Sequence, residues 1–333
     1  MAEWLFEAGV GEDRAALVDD GDIIEARIAP HGEAIRAGAV LDVRLIRAMP
    51  ETRRALVRCE ASGAELLVSP VPRQITEGGR LLVEVVREAI PEPGNPKLPQ
   101  ARPAAEGAQP GPGPDLLARI MATGLPVRQL RAHEDEALEA AGWSEVIESA
   151  ATGLIPFPGG LLRMALTPAM TIFDVDGSIG AEALARAGAE AAARAIRRFD
   201  IGGSIGIDLP SAGSKEARQA AAAAFDAALP QPFERTAVNG FGFLQIIRRR
   251  ERPSLPERLQ SDPVGAAARA LLRRAERESM IGARRLAAHP GVIAAIARIP
   301  GAIEELGRRT GASIGLRERP DLPISGGHVE PDR

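Results

Sequence analysis

Two apolar runs that end in aspartate, MTIFDVD (Met170–Asp176) and GGSIGID (Gly202–Asp208), constrain the fold more than any other feature of the chain. Between them lies GAEALARAGAEAAARAIRRF, an alanine-rich stretch that reads as one long helix. A strand, a helical crossover and a second strand place the two strands parallel, or nearly so, in one sheet. Functional groups gather at the carboxyl ends of such strands, so Asp174 and Asp208 should meet at one sheet end. Side chains alternate along a strand, which puts Asp176 on the same face as Asp174.

The flanking segments extend this pattern. GLIPFPGGLLRMAL reads as a hairpin turning at Pro-Gly-Gly. SKEARQAAAAAFDAAL reads as a helix with Ser214 as its N-cap. RTAVNG and GFLQIIRRRERP read as strands, and EDEALEAAGWSEVIESA reads as one helix. The first hundred or so residues are short strand-like runs separated by Gly and Asp turns, and those from about 31 to 100 suit a small barrel of the OB type. A segment rich in Pro, Gly and Ala follows, and residues 101–114 are expected to be a linker. The last seventy or so residues are expected to be mostly helical and to end in one short strand, with a frayed tail over 321–333. The expected class is therefore α/β (α+β).

Composition narrows the function. The chain has 333 residues, 45% of them hydrophobic, and a formal net charge of -4, which gives no support for a generally basic nucleic-acid binder. Any nucleic-acid contact needs a local basic surface. The one cysteine, Cys59, allows neither an internal disulfide nor a cysteine-based zinc site, and is expected to be buried. The amino terminus carries acids where a signal peptide carries bases, and no segment reaches the length of a membrane span. A cytoplasmic location is the expectation.

Carboxylates converging at a sheet end repel one another unless a cation is present. Mg²⁺ suits such a site, because it takes few carboxylates, several waters and a phosphate oxygen. The plain alternative is that each strand simply leaves the core at an aspartate, a residue that favours turns and caps.

Three segments together go further: ESAATGLIPFPGGLLRMALTPAMTIFDVDGS, then ARAIRRFDIGGSIGIDLP, then GFGFLQIIRRRERPSL. In order and spacing they resemble the catalytic region of the ribonuclease E/G family, bacterial endoribonucleases of RNA processing and decay. In that family a glycine-turn hairpin precedes a strand ending Asp-x-Asn-(Ser/Thr), and a later apolar strand ends in Asp. The resemblance implies an RNase H-like subdomain (1–30 plus 115–168), an inserted OB-fold RNA-binding barrel (31–100), a DNase I-like catalytic subdomain (169–258) and a small α-rich C-terminal domain (262–320). It implies that Asp174 and Asp208 bind Mg²⁺. Asp176 stands where the family has an asparagine that orients the scissile phosphate. Lys97, in EPGNPKLPQ, matches a basic residue of the family's RNA-contacting segment. The implied activity is metal-assisted hydrolysis of single-stranded RNA, leaving a 5′-phosphate. The rival reading is a catalytically degenerate RNA-binding or assembly protein on the same fold.

The chain also departs from the family. The Cys-x-x-Cys zinc link is missing, so no zinc is expected and an oligomer, if formed, is not a zinc-linked tetramer. Most of the 5′-end sensor is missing as well, and the barrel segment contains no aromatic residue. Arg248, Arg249 and Arg250, in the basic run RRRER, are candidates for phosphate contact beside the site, or else form a solvated edge.

Overall fold

The computed structural model describes every residue except Ala34, Pro93, Asn95, Asp135, Ala212 and Arg333. Its contacts divide the chain into two units, Met1–Gly32 with Ile120–Ala151 and Arg258–Arg333, and Glu33–Arg119 with Thr152–Glu257.

The chain opens in the first unit with β1 (Glu3–Ala8), β2 (Glu12–Asp19) and β3 (Asp22–Pro30), an antiparallel meander. It then enters the second unit and forms β4 (Val40–Met49), β5 (Arg54–Cys59), β6 (Glu65–Val68), β7 (Arg80–Arg87) and β8 (Gln100–Pro103). These five strands close a barrel in the order β4-β5-β6-β8-β7. Alternating Val43 and Leu45, Val83 and Val85, with Val57 and Leu66, fill its interior, and Cys59 is buried among them. Closure corrects the expected linker, because β8 pairs with both β6 and β7 and Gly111 bridges to Val40. The Pro- and Gly-rich composition hid a strand that needs only a few backbone hydrogen bonds.

After α1 (Leu116–Met121), β9 (Val127–Leu130) lies parallel to β1 and completes a four-stranded sheet in the first unit. The helix expected over residues 134–150 forms as α2 (Ala137–Ala140) and α3 (Trp143–Thr152). The break is at Gly142, whose φ of 91° lies outside the helical region.

The second unit resumes with β10 (Leu154–Phe157), β11 (Gly160–Leu166), β12 (Thr171–Gly177), α4 (Ala181–Arg198), β13 (Gly203–Asp208), α5 (Lys215–Ala228), β14 (Glu234–Arg235) and β15 (Phe243–Arg248). They build one sheet in the order β10-β11-β12-β13-β15-β14. Within it β12 and β13 are parallel, as their helical crossover requires, and their neighbours are antiparallel. Ser214 caps α5, its Oγ accepting from the Ala217 N–H at 3.1 Å. The expected strand RTAVNG contributes only Arg235 and the residue before it to a strand. The hairpin β10–β11 shares its sheet with β12, so the expected boundary at residue 169 does not separate subdomains. Strand β11 satisfies its edge hydrogen bonds on β12, and a cut there would orphan them.

The chain returns to the first unit through α6 (Leu255–Ser261), then forms α7 (Pro263–Arg277), β16 (Arg284–Ala288), α8 (Pro290–Ala297), α9 (Ala302–Thr310), β17 (Ile314–Glu318) and β18 (His328–Pro331). The expected α-rich region thus carries a three-stranded sheet, β17-β16-β18. The tail is not frayed, because β18 pairs with β16 from Ala287↔His328 to Arg284↔Pro331. Helices α7, α8 and α9 pack around Leu271, Leu272, Val292, Ile296 and Leu306. Beside this core, buried Glu7 accepts from Arg14 (3.0 Å), Arg273 (2.8 Å) and Arg277 (3.2 Å). Burial pushes the Glu7 carboxyl up, but the charges of Arg273, Arg14 and Arg277 and the Arg273 hydrogen bond outweigh it and hold the group below its ordinary value. Among the described residues no helix is long and apolar enough to cross a membrane.

Candidate functional site

The six-stranded sheet has one face turned inward and one open. Phe173 and Val175 on β12, Ile205 and Ile207 on β13, and Leu244 and Ile246 on β15 are buried. Alternation sends Ile172, Asp174 and Asp176, Ser204 and Asp208, and Phe243, Gln245 and Ile247 to the opposite face.

Register brings the two principal carboxylates together. Asp174 lies directly opposite Asp208 in the parallel pair. Adjacent strands run about 4.8 Å apart, and like charges at such spacing repel by about 1 kcal/mol even in water. Both side chains are exposed. Among the described residues, neither takes a hydrogen bond or ion pair from a side chain. The register of β12 on its other neighbour, β11, has a local cause. In the turn before β12 the Thr167 Oγ donates to the Met170 carbonyl at 2.7 Å and accepts from the Met170 N–H at 3.1 Å. This starts β12 with Thr171 opposite Leu166 and sets Asp174 opposite Arg163.

Asp176 behaves differently from its two neighbours. Its Oδ2 accepts from Arg163 Nε at 2.7 Å, both side chains being about half exposed. That hydrogen bond, and then the charges of Asp176 and Asp174, raise the Arg163 pKa above its ordinary value. The expected convergence of three carboxylates is therefore corrected to a pair, with the third carboxylate turned to a guanidinium. Among the described residues no three His, Cys, Asp or Glu side chains group as metal ligands. Two carboxylates with open coordination suit Mg²⁺, which binds through one or two carboxylates and keeps its waters.

The expected basic partners lie elsewhere. Strand β15 is antiparallel to β13, so Arg248 sits opposite Gly203, five residues and about 17 Å from Asp208. There Arg248 donates to Asp200 at 3.1 Å and to the Ile201 carbonyl at 2.9 Å. Arg250 holds Glu257, and Arg249, whose side chain is exposed, lies 3.1 Å from Glu251. Lys97 is at the amino end of β12, 2.5 Å from Glu92 and 3.4 Å from the Pro168 carbonyl. Asn95, in the same EPGNPKLPQ segment, lies outside the described residues. The structure thus pairs Asp174 with Asp208, keeps Asp176 on the same face but on Arg163, and leaves Lys97 and the arginine run at the other end.

Two residues at the carboxylate end escaped the sequence reading. Arg163 could have been found by counting back through the hairpin register. Phe241 is 86% exposed in the turn before β15. That turn is anchored to β13, because the Leu209 N–H donates to the Gly242 carbonyl at 3.2 Å. Behind it the half-buried Phe243 ring lies over Gly206, where an added Cβ would come within 2.6 Å of the ring. Helices α4 and α5 both start at this end of the sheet, since each follows the carboxyl end of its strand, and helix amino termini favour anions. The chain matches no protein-family model and no curated protein.

Proposed function

We propose that the protein is a Mg²⁺-dependent endoribonuclease of the ribonuclease E/G type, which hydrolyses phosphodiesters of single-stranded RNA in RNA processing or decay. One observation carries the reading. Two exposed aspartates, neither with a side-chain hydrogen bond or ion pair among the described residues, lie in register at the carboxyl ends of parallel strands. Two like charges are held there, and among the described residues neither forms an ion pair, the nearby Arg163 being bonded to Asp176, which favours binding a divalent ion.

Asp174 and Asp208 would hold that ion. Bound there, Mg²⁺ supplies a more acidic water and a counter-charge for the phosphate oxygens. Arg163, already beside this pair, carries a guanidinium suited to phosphate. Asp176 keeps that guanidinium in place but also competes with the phosphate for it. The order β4-β5-β6-β8-β7 is consistent with an OB-type barrel, a fold that binds single strands. The subdomain names implied by the family resemblance are part of the same proposal, which rests on motif order and not on an overall match.

The test is cleavage of an end-labelled single-stranded RNA by purified protein, with Mg²⁺ and with a chelator. The expected result is Mg²⁺-dependent product bearing a 5′-phosphate, lost in Asp174→Ala and in Asp208→Ala. RNA binding indifferent to Mg²⁺, without product, would identify a non-catalytic RNA-binding protein instead.

A further inference from the structure

We propose that Phe241 is a stacking platform for a base of single-stranded RNA at the Asp174–Asp208 end of the sheet. The inference rests on the reading that this end receives RNA. Every other phenylalanine and both tryptophans are buried or half-buried, whereas Phe241 is 86% exposed.

The turn that carries Phe241 is built rather than loose. The Asn239 Oδ1 accepts from the Phe241 N–H at 2.9 Å and from the Phe243 N–H at 3.0 Å. The Asn239 N–H donates to the Phe243 carbonyl at 3.0 Å, and the Gly242 N–H to the Asn239 carbonyl at 3.1 Å. Gly242 has a φ of 93°, and a Cβ there would come within 2.2 Å of the Leu209 carbonyl oxygen. Only glycine lets the turn lie this close to β13. The backbone of the turn, one residue from Phe241, is therefore tied to the residue that follows Asp208.

The ligand class follows from the chemistry. An exposed π face accepts any base by stacking and needs no base-specific hydrogen bonds. A base already stacked within a duplex has no free face to offer, so such a platform selects single strands. The barrel strands contain no aromatic residue that could do this. A single-strand binder of this chain must take its stacking from elsewhere, and Phe241 stands next to the paired carboxylates.

The experiment measures affinity for a fluorescent single-stranded RNA by anisotropy without divalent ions, so that nothing is cleaved. Phe241→Ala should weaken binding roughly five- to hundredfold, the range of one stacked base. Phe241→Trp should bind within about twofold of wild type, and Phe241→Leu should bind as weakly as alanine, because a π face and not apolarity is required. A series of RNAs, each with one abasic nucleotide, should show one position whose loss matters to wild type and not to Phe241→Ala. Unchanged affinity in Phe241→Ala, full binding by Phe241→Leu, or no RNA binding by wild type would overturn the proposal. Phe241-dependent binding without Mg²⁺-dependent cleavage would keep the platform and overturn the hydrolase. Cleavage with Phe241-independent affinity would do the reverse.

Discussion

Glu7 in one unit and the Asp174–Asp208 pair in the other are carboxylates in opposite electrostatic settings. Glu7 is buried and receives three arginines. Asp174 and Asp208 are exposed, lie in register and, among the described residues, are held by none. A buried carboxylate must be neutralised or it costs several kcal/mol, so the Glu7 cluster is a requirement of folding. An exposed like-charge pair gives the fold nothing, and on the proposed reading its register serves a divalent cation. Asp200, which neutralises Arg248 at 3.1 Å and Arg252 at 2.8 Å, belongs with Glu7. Abundant charge at one end of a sheet is therefore no guide to function until the partners are counted.

The contrast is sharpest in the variants expected to have the largest effect. Glu7→Gln leaves buried guanidiniums short of their counter-charge and should cost about 3–5 kcal/mol in urea unfolding at neutral pH. Because the folded-state pKa of Glu7 is depressed below its ordinary 4.5, its contribution is present above that value and is lost as pH falls through the folded pKa. The wild type should thus lose stability below about pH 4.5, and the variant should lose less. An equally steep acid transition in Glu7→Gln would assign the transition to other groups.

Next in size, Asp174→Ala and Asp208→Ala should each lower cleavage at least about 100-fold, or about 2.7 kcal/mol of barrier, while unfolding free energy stays within about 1 kcal/mol of wild type. A large loss of stability in either variant would break the comparison, because it would make the pair structural. Asp200→Asn should cost about 2 kcal/mol of stability through its charged hydrogen bonds and leave KM for RNA unchanged. A raised KM would return the arginine run to the substrate. The smallest stability effect belongs to Asp176→Asn. Its pair with Arg163 is solvent-exposed, so stability should hardly move. Freed of its counter-ion, Arg163 should lower KM and raise the cleavage rate a few-fold, and an unchanged or lower rate would show that Asp176 does not compete with phosphate.

Much of this site was legible because its determinants are local. Two acid-ended apolar runs and one helical connection fixed the parallel pairing of β12 with β13, and alternation fixed the shared face of Asp174 and Asp176. The glycine-turn hairpin and the Ser214 cap were legible for the same reason. What stayed hidden depends on partners distant in sequence. Strand β8 exists because two barrel strands are waiting for it, and β18 because β16 offers an edge. Arg248 looked available until the fold supplied Asp200, forty-eight residues away. Phe241 was visible as a letter, but its exposure came from a turn closed by Asn239 and Gly242.

The most direct test reads the metal and not the reaction. Titration of the protein with Mn²⁺, followed by electron paramagnetic resonance of the free ion, should reveal one site that Mg²⁺ displaces. That site should disappear in Asp174→Ala and in Asp208→Ala and persist in Asp176→Asn. Undiminished Mn²⁺ binding in either alanine variant would contradict the claim that the in-register aspartates form the divalent-ion site.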